Sequence, residues 1–479
     1  MMVSKPLILI AHFIVAASLS TLISLLMLTS GSESSSAEPY KPTWESLDAR
    51  PLPKWYDEDK FGIFIHWGVF SVPAMGEWFW YNWKEYKDPK AVEYMKRNQK
   101  PDFSYQDFAR DFTAENFNAT QWASLFAASG ARYVVLTSKH HEGYALWPST
   151  FSFSWNSVDV GPHRNIVDEL ATAIRNRTNL KFGLYHSRYE WFNPLYLDDK
   201  KSNFTKSRFV DYKTGAELYE LVEEFKPEII WSDGEWEAPD TYWKSKEFLA
   251  WLYNDSPVKE TVVVNDRWGS ETLCKHGGFL TCKDRYTPGH LLPRKWENCM
   301  TIDKKSWGYR KHANIEDYYT SHELIKILVE TVALGGNLLL NVGPTHTGDI
   351  SPIFQERLHD IGKWLSVNEE GIYGTNPWTT CQNDTENGNI WYTTKKYGTQ
   401  EQVLFAIFLQ WPETGILKMK CVTSLQSTTV IRLLGIDANL KWHSTESSTE
   451  VVLPNKAKTE DCLLESSKGM VKNEVARKL

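Results

Sequence analysis

The stretch PEIIWSDGEW, residues 227–236, joins a short β-like run to a polar turn. Ile229 and Ile230 are β-branched residues that favour a strand, and Gly234 lets the chain turn directly after Asp233. In proteins built on parallel strands, ligands and catalytic groups gather where the strands end. We therefore expect Asp233 to face a pocket at the carboxyl end of a strand.

Five further runs repeat this order of an apolar stretch followed by polar or aromatic residues. Between the runs, apolar residues recur at the i, i+3, i+4, i+7 spacing of amphipathic helices, over 167–174, 218–225 and 325–332. Alternating strands and helices predict a parallel sheet covered by helices, and six or more such units predict a (β/α)8-like barrel. The five runs are FGIFIHWG (61–68), ARYVVLTSKHHEG (131–143), LKFGLYHSRYEW (180–191), TVVVNDRW (261–268) and GGNLLLNVGP (335–344).

An open, doubly wound sheet is the alternative arrangement of the same elements. No G-x-G-x-x-G motif follows the first strand, which counts against a nucleotide-binding fold of that kind. After about residue 375 the runs NIWYTT, QVLFAIFLQW, TVIRLLGI and LKWHS predict an antiparallel β-sandwich. The predicted domains are a signal peptide or signal anchor (1–37), the barrel (38–375), the sandwich (376–460) and a polar tail (461–479).

The first 37 residues have the composition of a secretory signal. Lys5 precedes a mostly apolar run from Pro6 to Ser30, and the Ser-rich stretch that ends at Ala37 suits signal peptidase. The run is also long enough to remain in a bilayer as an anchor, whereas cleavage leaves no stable membrane span. Secretion agrees with five Asn-x-Ser/Thr acceptor sites for N-glycosylation. These sites are Asn118, Asn176, Asn203, Asn254 and Asn383.

The net charge and the aromatic content of the chain indicate which classes of ligand it can bind. The net charge is −7 and no long basic stretch occurs, so nucleic acid is not an expected ligand. The 22 tryptophans offer flat apolar faces of the kind that pack against sugar rings. Cys274 and Cys282 are close enough in sequence to pair, and local pairing leaves one free thiol among the three cysteines of each half.

Histidines and other polar residues collect at the predicted strand ends, which indicates a binding pocket. A metal site is not predicted, because the adjacent His140 and His141 point to opposite sides of an extended chain. A serine nucleophile lacks the G-x-S-x-G turn that presents it. The strand ends supply His66, Trp67, His140, His141, Glu142, Tyr185, His186, Trp231, Asp233, Asn265, Asp266 and Arg267.

Carboxylate chemistry fits these strand ends better. Glycoside hydrolysis needs one acid to protonate the leaving oxygen and one carboxylate to attack or to activate water, and retaining enzymes hold the two about 5–5.5 Å apart. Asp233 is the candidate nucleophile because it ends its strand next to a glycine turn. Glu235 lies beyond the turn and is predicted to brace the loop, and Glu142 is a weaker candidate at another strand end.

Longer motifs closely resemble the animal tissue α-L-fucosidases of glycoside hydrolase family 29. Residues 288–299, PGHLLPRKWENC, fit the pattern P-x-x-L-x-x-x-K-W-E-x-C of that family, and the likeness runs from about residue 40 to 453. It implies a retaining hydrolase, without a cofactor, that releases terminal α-L-fucose from glycoproteins and glycolipids in lysosomes or secretions, often as a homotetramer. The other matching motifs are FGIFIHWGVFSVPAMGEWFWYNW, YVVLTSKHHEGYALWPS, GLYHSRYEWFNPLY, IIWSDGEW and VVVNDRWG.

Carried over residue by residue, the resemblance makes Asp233 the nucleophile and leaves two candidates for the acid/base, Asp284 and Glu297. Trp296 beside Glu297 favours a protonated acid, whereas Lys283 and Arg285 beside Asp284 favour the ionised form, so the sequence favours Glu297. Cys299 closes the motif and is a further active-site candidate, although a carboxylate mechanism needs no thiol. The residues implied around the fucose are His66, Glu77, Trp78, His140, His141, Tyr185, Trp231, Arg267 and Trp307.

Two points remain open in the sequence. A fucose-binding lectin built on an inactive barrel is the alternative function, and the presence of all the acids favours the enzyme. The tail after Pro454 is charged, whereas family members usually end with an apolar strand, so the last strand of the sandwich is in doubt. For the enzyme we expect a mildly acidic pH optimum, because the acid must be protonated while the nucleophile is ionised.

Overall fold

The computed structural model describes residues 38–384, 390–398, 401–454 and 469–475. The predicted leader and Cys462 lie outside the described residues. The chain separates into two units, Met1–Tyr40 and Lys41–Leu479, and residues 38–40 of the first unit have no helix or strand. Within the described ranges, no helix combines the length and the apolar character that a membrane crossing requires.

Seven parallel strands form one curled sheet with the order β5-β4-β3-β2-β1-β7-β6. In the centre of the sheet, Ile63 lies opposite both Val134 and Leu340. Nearly every strand residue is buried, because helices cover the outer face and side chains fill the interior. The strands are β1 Phe61–Ile65, β2 Tyr133–Lys139, β3 Lys181–Ser187, β4 Ile229–Asp233, β5 Val263–Val264, β6 Trp296–Thr301 and β7 Gly336–Val342.

A short segment, residues 278–280, joins the two edges of this sheet through backbone hydrogen bonds. The amides of Gly278 and Phe279 donate to the carbonyl of Val264 in β5, at 3.0 and 3.1 Å. On the other side, Leu280 forms a parallel bridge with Trp296 of β6, with N···O distances of 2.9 and 2.8 Å. The segment therefore occupies the place of an eighth strand, and the prediction of a (β/α)8-like barrel is confirmed.

The three predicted helices are confirmed as Ile166–Arg177, Gly215–Phe225 and Ser321–Ala333, and the residues of their apolar spacing are buried against the sheet. The α-helices are α1 Trp44–Asp48, α2 Lys54–Asp59, α3 Phe79–Lys84, α4 Pro89–Asn98, α5 Ala119–Ala128, α6 Ile166–Arg177, α7 Pro194–Lys201, α8 Gly215–Phe225, α9 Asp240–Trp243, α10 Ser245–Asn254, α11 Ser321–Ala333 and α12 Pro352–Asn368. Short 3-10 turns occur at Val69–Ser71, Tyr105–Asp111, Ile315–Asp317 and Glu369–Gly371, and a π-helical turn covers Val210–Thr214.

Strand β6 was not among the runs predicted from sequence. Its residues, WENCMT, lack the β-branched content that marks the other strands, but the backbone pairs with β7 along its whole length. Side chains alternate across the strand: Trp296 donates to the carbonyl of Leu334 in the helical layer, at 3.0 Å, while Glu297 points into the barrel. Because of this alternation, the Glu297 carboxylate lies in the barrel interior and not in the helical layer.

The C-terminal region is the predicted antiparallel β-sandwich. One sheet has the order β13-β16-β11-β10-β8, with β9 beside β10, and the other has the order β12-β15-β14. Apolar residues of both sheets share one core, for example Tyr392 and Phe408 from the first and Leu417 and Val451 from the second. The strands are β8 Asn376–Pro377, β9 Asn383–Asp384, β10 Ile390–Tyr397, β11 Glu401–Phe408, β12 Ile416–Met419, β13 Val430–Leu433, β14 Trp442–Ser444, β15 Thr449–Val452 and β16 Gly469–Val475.

The prediction of a polar tail over 461–479 is wrong for residues 469–475. This segment, GMVKNEV, is the strand β16, and it pairs with β11 on one side and β13 on the other. The charged composition of the tail did not predict a strand. The strand forms nevertheless, because the hydrogen bonds between paired strands are made by backbone N–H and C=O groups and not by side chains. The last strand that the sequence left in doubt is therefore present, inside the sheet.

Two disulfides are present among the described cysteines. Cys274 pairs with Cys282, as expected from their spacing, and Cys381 pairs with Cys421 in the sandwich. Cys299 is free and buried in the barrel interior. The expectation of a free thiol in the first half of the folded region is thus confirmed.

Candidate active site

A pocket opens at the carboxyl ends of the barrel strands. It collects all nine residues that the resemblance places around a sugar, together with two of the predicted catalytic acids, Asp233 and Asp284. Glu297 and Cys299 are not among its lining residues. The lining residues are Phe64, His66, Glu77, Trp78, His140, His141, Tyr185, Trp231, Asp233, Trp236, Arg267, Asp284 and Trp307.

Asp233, the last residue of β4, lies on the pocket floor with both carboxylate oxygens held. Arg267 donates to Oδ1 at 2.8 Å, and the hydroxyl of Tyr185 donates to Oδ2 at 2.7 Å. The turn that follows needs glycine, since Gly234 has φ +76° and a Cβ there would overlap the Tyr189 ring. A fixed carboxylate at the base of a pocket suits attack on a bound substrate.

Arg267 joins Asp233 to a second carboxylate. Its other terminal nitrogen donates to Asp284 at 2.6 Å, while the guanidinium lies over the Trp231 ring, 4.6 Å from the centroid. Burial by itself lowers the pKa of the Arg267 guanidinium, but Asp284 and Asp233 together raise it well above its ordinary value. The Asp233 side chain is only 11% exposed, whereas that of Asp284 is 46% exposed at the pocket mouth.

The hydrogen-bond network assigns the protons of His66. Its Nδ1 lies 2.7 Å from Oδ1 of Asn341, whose amide nitrogen already donates to Thr301 and to the carbonyl of Trp307. The Asn341 oxygen must therefore accept, so Nδ1 of His66 carries the proton. Burial holds the pKa of His66 well below its ordinary value, which leaves the ring neutral and Nε2 free to accept a hydrogen bond from a hydroxyl group.

His141 has the same tautomer for the same reason. Ser187 donates its hydroxyl to the carbonyl of Tyr189 at 2.7 Å, so its oxygen accepts from Nδ1 of His141, also at 2.7 Å. Burial lowers the pKa of His141 well below its ordinary value, with a further contribution from His140. The unprotonated Nε2 lies 3.6 Å from Oδ2 of Asp233, where it can accept a hydrogen bond from a hydroxyl of a bound ligand.

Glu77 fixes the far wall of the pocket. Its Oε2 accepts three hydrogen bonds, from the Ser306 hydroxyl at 2.8 Å and from the amides of Trp307 and Gly308 at 3.0 and 2.8 Å. The Trp307 ring is thereby held 5.1 Å from the ring of His66. An aromatic face beside hydrogen-bond acceptors matches a sugar, which has apolar C–H faces and hydroxyl edges.

A buried ion cluster anchors the loop that carries the histidine pair. Lys139, the last residue of β2, contacts Glu190 at 2.8 Å and Glu217 at 2.7 Å. Lys213 bonds both acids as well, and His186 lies 3.1 Å from Glu217. Burial by itself raises the pKa of Glu217, but Lys139 and Lys213 together lower it well below its ordinary value. The two buried lysines therefore compensate the charges of the two buried glutamates.

Glu297, the acid/base candidate that the sequence favours, does not line the pocket. Glu297 is fully buried beneath the pocket, and its carboxylate accepts from Tyr56 at 2.7 Å, Tyr133 at 2.8 Å and Trp231 Nε1 at 2.9 Å. Burial raises its pKa to about 7, as an acid catalyst requires, but the Trp231 ring separates it from Arg267. The Trp296 side chain invoked in the sequence argument points the other way, into the helical layer.

Other strand-end candidates also lie away from the pocket. Trp67 packs among Phe112, Phe117 and Trp122 in the outer core, because strand ends alternate between the two faces of the sheet. Glu142 is buried, with its Oε2 3.5 Å from Nδ1 of His140. Asp266 accepts from the Thr281 hydroxyl at 2.6 Å and from the amides of both cysteines of the Cys274–Cys282 pair.

The sequence argument did not assign two of the lining residues, Phe64 and Trp236. Phe64 belongs to β1, two residues before His66, so period-2 alternation could have placed it on the inner face. Trp236 stands three residues after Asp233, beyond the Gly234 turn, and only the turn geometry brings it back to the rim. No local pattern marks that return.

The glycosylation acceptors occupy different environments. Asn118, Asn176 and Asn203 are exposed, and Asn118 also caps α5 by accepting from the amide of Gln121. Asn254 and Asn383 are partly buried. In the described ranges, no group of three or more His, Cys, Asp or Glu side chains is arranged to hold a metal ion.

Comparison with known proteins agrees with this geometry. The alpha-L-fucosidase family profile matches residues 27–370, and the profile of the alpha-L-fucosidase C-terminal domain matches residues 382–465. The chain is 59% identical over 414 residues to the human plasma alpha-L-fucosidase, covering 86% of this chain and 88% of that one. It is 54% identical over 425 residues to the human tissue alpha-L-fucosidase, covering 88% and 90%.

Solved structures give the same result. The crystal structure of the Thermotoga maritima alpha-fucosidase in complex with fucose superimposes with a TM-score of 0.77 at 34% identity, over 91% of this chain and 100% of that one. Another crystal structure of the Thermotoga maritima alpha-fucosidase gives a TM-score of 0.76 at 33% identity, over 91% of this chain and 100% of that one. Matches of this extent show the family, and the chain belongs to the alpha-L-fucosidases, the glycoside hydrolases of family 29.

Proposed function

We propose that this chain is a retaining α-L-fucosidase that hydrolyses terminal α-L-fucose from glycoproteins and glycolipids. The observation that carries the proposal is the arrangement around Arg267, which holds a buried carboxylate, Asp233, and a half-exposed one, Asp284, in one pocket. Two carboxylates that flank one sugar site are what glycoside hydrolysis requires. Neutral histidines that can accept hydrogen bonds, and an aromatic wall, supply the contacts for the sugar.

In the first step, Asp233 attacks the anomeric carbon of the fucose. A bond forms between Oδ of Asp233 and that carbon as the bond to the glycosidic oxygen breaks, and Asp284 gives its proton to the departing oxygen. Arg267 and Tyr185 hold the attacking carboxylate in place. The product of this step is a fucosyl ester of Asp233 and the released aglycone.

In the second step, water hydrolyses the ester. Asp284, now ionised, takes a proton from the water as the water oxygen bonds to the anomeric carbon, and the ester bond to Asp233 breaks. Fucose leaves with its original anomeric configuration, and both acids return to their starting states. The half-exposed position of Asp284 gives it access both to the leaving group and to water, which the enclosed Glu297 lacks.

Azide trapping tests these assignments. We expect Asp233→Gly to lose about 10⁴-fold in kcat or more, and azide to restore turnover with inversion, because azide replaces the nucleophile. We expect Asp284→Ala to give a fucosyl azide of retained configuration, because azide then attacks the Asp233 ester. Retained product from Glu297→Ala but not from Asp284→Ala would overturn the acid/base assignment, and a wild type that binds fucose without hydrolysing a chromogenic fucoside would favour a lectin.

We also propose a secreted or lysosomal enzyme that is N-glycosylated and assembles as a homotetramer. The plasma and tissue fucosidases among its relatives support the location, and the exposed Asn118, Asn176 and Asn203 support the modification. A mildly acidic pH optimum follows from the need for one protonated and one ionised acid. Peptide mapping after enzymatic deglycosylation tests the glycosylation, light scattering of the purified enzyme tests the oligomeric state, and a pH–rate profile tests the pH optimum.

A further inference from the structure

A row of four aromatic rings leads from the pocket mouth to the open surface. It consists of Trp236, Trp78, Tyr81 and Tyr86, and we call it the aromatic ledge. The rings of Trp236 and Trp78 are nearly parallel, with centroids 6.5 Å apart and planes inclined by 18°. Tyr81 meets Trp78 edge-on at 5.2 Å, and Tyr86 meets Tyr81 edge-on at 4.8 Å.

The ledge begins in the pocket and continues beyond it. Trp236 and Trp78 line the pocket, whereas Tyr81 and Tyr86 do not. Both ends of the row reach solvent, since Trp236 at the pocket rim is 42% exposed and Tyr86 at the outer end is 70% exposed. The row is therefore covered at its inner end by whatever fills the pocket and is free at its outer end.

The inner rings are held in position from behind. Trp236 packs against Tyr189, with centroids 5.2 Å apart, and edge-on against His141 at 5.6 Å. The Trp191 ring supports both Trp78, at 5.3 Å, and Tyr81, at 5.8 Å. Rings that are fixed on one side and exposed on the other form a preorganised surface, and binding to it costs little side-chain entropy.

We propose that the aromatic ledge binds the leaving-group saccharide, that is, the glycan to which the fucose is attached. The inference rests on the proposed function, which places a terminal fucose in the pocket and the rest of the substrate outside it. In the proposed reaction the glycosidic oxygen lies beside Asp284, which is half-exposed and lines the same pocket as Trp78 and Trp236, so the rest of the glycan leaves through the mouth of that pocket. Aromatic faces with phenol and indole donors at their edges match the alternation of apolar faces and hydroxyls on a sugar chain.

The same rings could instead meet a neighbouring subunit. A glycan is the better match because the row starts inside the pocket and consists of single rings with polar edges, rather than a broad apolar patch. The two occupants predict different behaviour, since a glycan contact affects only extended substrates and a subunit contact affects the oligomeric state.

The test uses Tyr86→Ala, because Tyr86 lies outside the pocket and a one-ring aglycone held at the mouth does not extend along the ledge to it. The kcat/KM is measured with 4-nitrophenyl α-L-fucoside and with a fucosylated oligosaccharide of four or more sugars. We expect the variant to lose about fivefold on the oligosaccharide, the size of one lost aromatic contact, and to keep its activity on the aryl fucoside. Tyr86→Phe should retain most of the oligosaccharide activity because it keeps the ring.

Tyr212→Ala is the matched control, because Tyr212 is 69% exposed and lies in the π-helical turn Val210–Thr214, outside the ledge. It should leave both activities unchanged. An unchanged ratio of the two activities in Tyr86→Ala overturns the proposal, and a change of oligomeric state with an unchanged ratio identifies a subunit contact instead. A wild type that hydrolyses neither substrate refutes the proposed function rather than the ledge.

Discussion

The mouth of the pocket and the barrel interior beneath Trp231 each hold a carboxylate that the sequence offers as the acid/base. At the mouth, Asp284 is half-exposed and bonded to a guanidinium that also holds Asp233, the proposed nucleophile. In the interior, Glu297 is sealed among neutral donors, and burial raises its pKa to about 7. The comparison teaches that a raised pKa follows from burial alone, whereas catalysis also needs contact with the substrate.

Activity should separate the two acids most strongly. We expect Asp284→Ala to lower kcat/KM for a natural fucoside by about 10²–10⁴-fold, the usual contribution of a general acid. The loss should be smaller for an aryl fucoside with a good leaving group, which needs little protonation. Glu297→Gln, assayed per folded molecule, should change the ratio of the kcat/KM values for the two substrates little. If this variant instead lost activity selectively on the natural fucoside, which has the poorer leaving group, Glu297 and not Asp284 would be the acid.

The buried carboxylate should matter for stability instead. Tyr133→Phe removes one of the three donors to Glu297, and we expect it to lower the free energy of unfolding by about 1–3 kcal/mol. Denaturant titration measures the effect. Tyr105→Phe is the control, because within the described part of the chain the buried Tyr105 hydroxyl has no hydrogen-bond partner, and its removal should cost less. Equal losses in the two variants would show that the Glu297 network is not stabilising.

Stability should also depend on pH through Glu297. Its pKa is raised from 4.5 to about 7 in the folded protein, so between these values the folded state retains a proton that the unfolded state has lost. Stability therefore falls as pH rises from 4.5 to 7, by roughly 3 kcal/mol at most, and the fall ends above the folded-state pKa. Melting temperatures of wild type and Glu297→Gln across this range measure the contribution as their difference. Parallel curves would contradict it.

Cys299, located between the two regions, should show the smallest effect. Its thiol is buried 3.8 Å from Oδ1 of Asp284, and burial raises its pKa well above the ordinary value, so it is neutral and not a nucleophile. We expect Cys299→Ala to keep nearly full activity and to lose about 1 kcal/mol of stability. Activity assays of the variant, and of wild type treated with a thiol reagent, provide the check. A large kinetic loss without unfolding would give the thiol a role in the site.

Much of the fold could be predicted because it follows from local patterns. The β-branched runs and the 3.6-residue apolar spacing predicted six of the seven barrel strands and three of the helices that cover them. Strands β6 and β16 were not predicted, because neither has the side-chain composition of a strand and both are held by pairing with distant neighbours. The short strands β8, β9, β12 and β15 were not predicted either. Strand pairing of this kind is a long-range property that no local window contains.

The sequence by itself determined the chemistry available: carboxylates, histidines and aromatic rings at strand ends, with Asp233 next to a glycine turn. Only the tertiary structure decided which second acid lies in the pocket with Asp233. Asp284 follows the Cys274–Cys282 disulfide and Glu297 lies a short distance further along the chain, in β6. Asp284 nevertheless reaches the pocket mouth, whereas Glu297 points into the closed interior of the barrel. The reason is physical, since access to solvent and substrate depends on which face of a strand or loop the surrounding barrel covers.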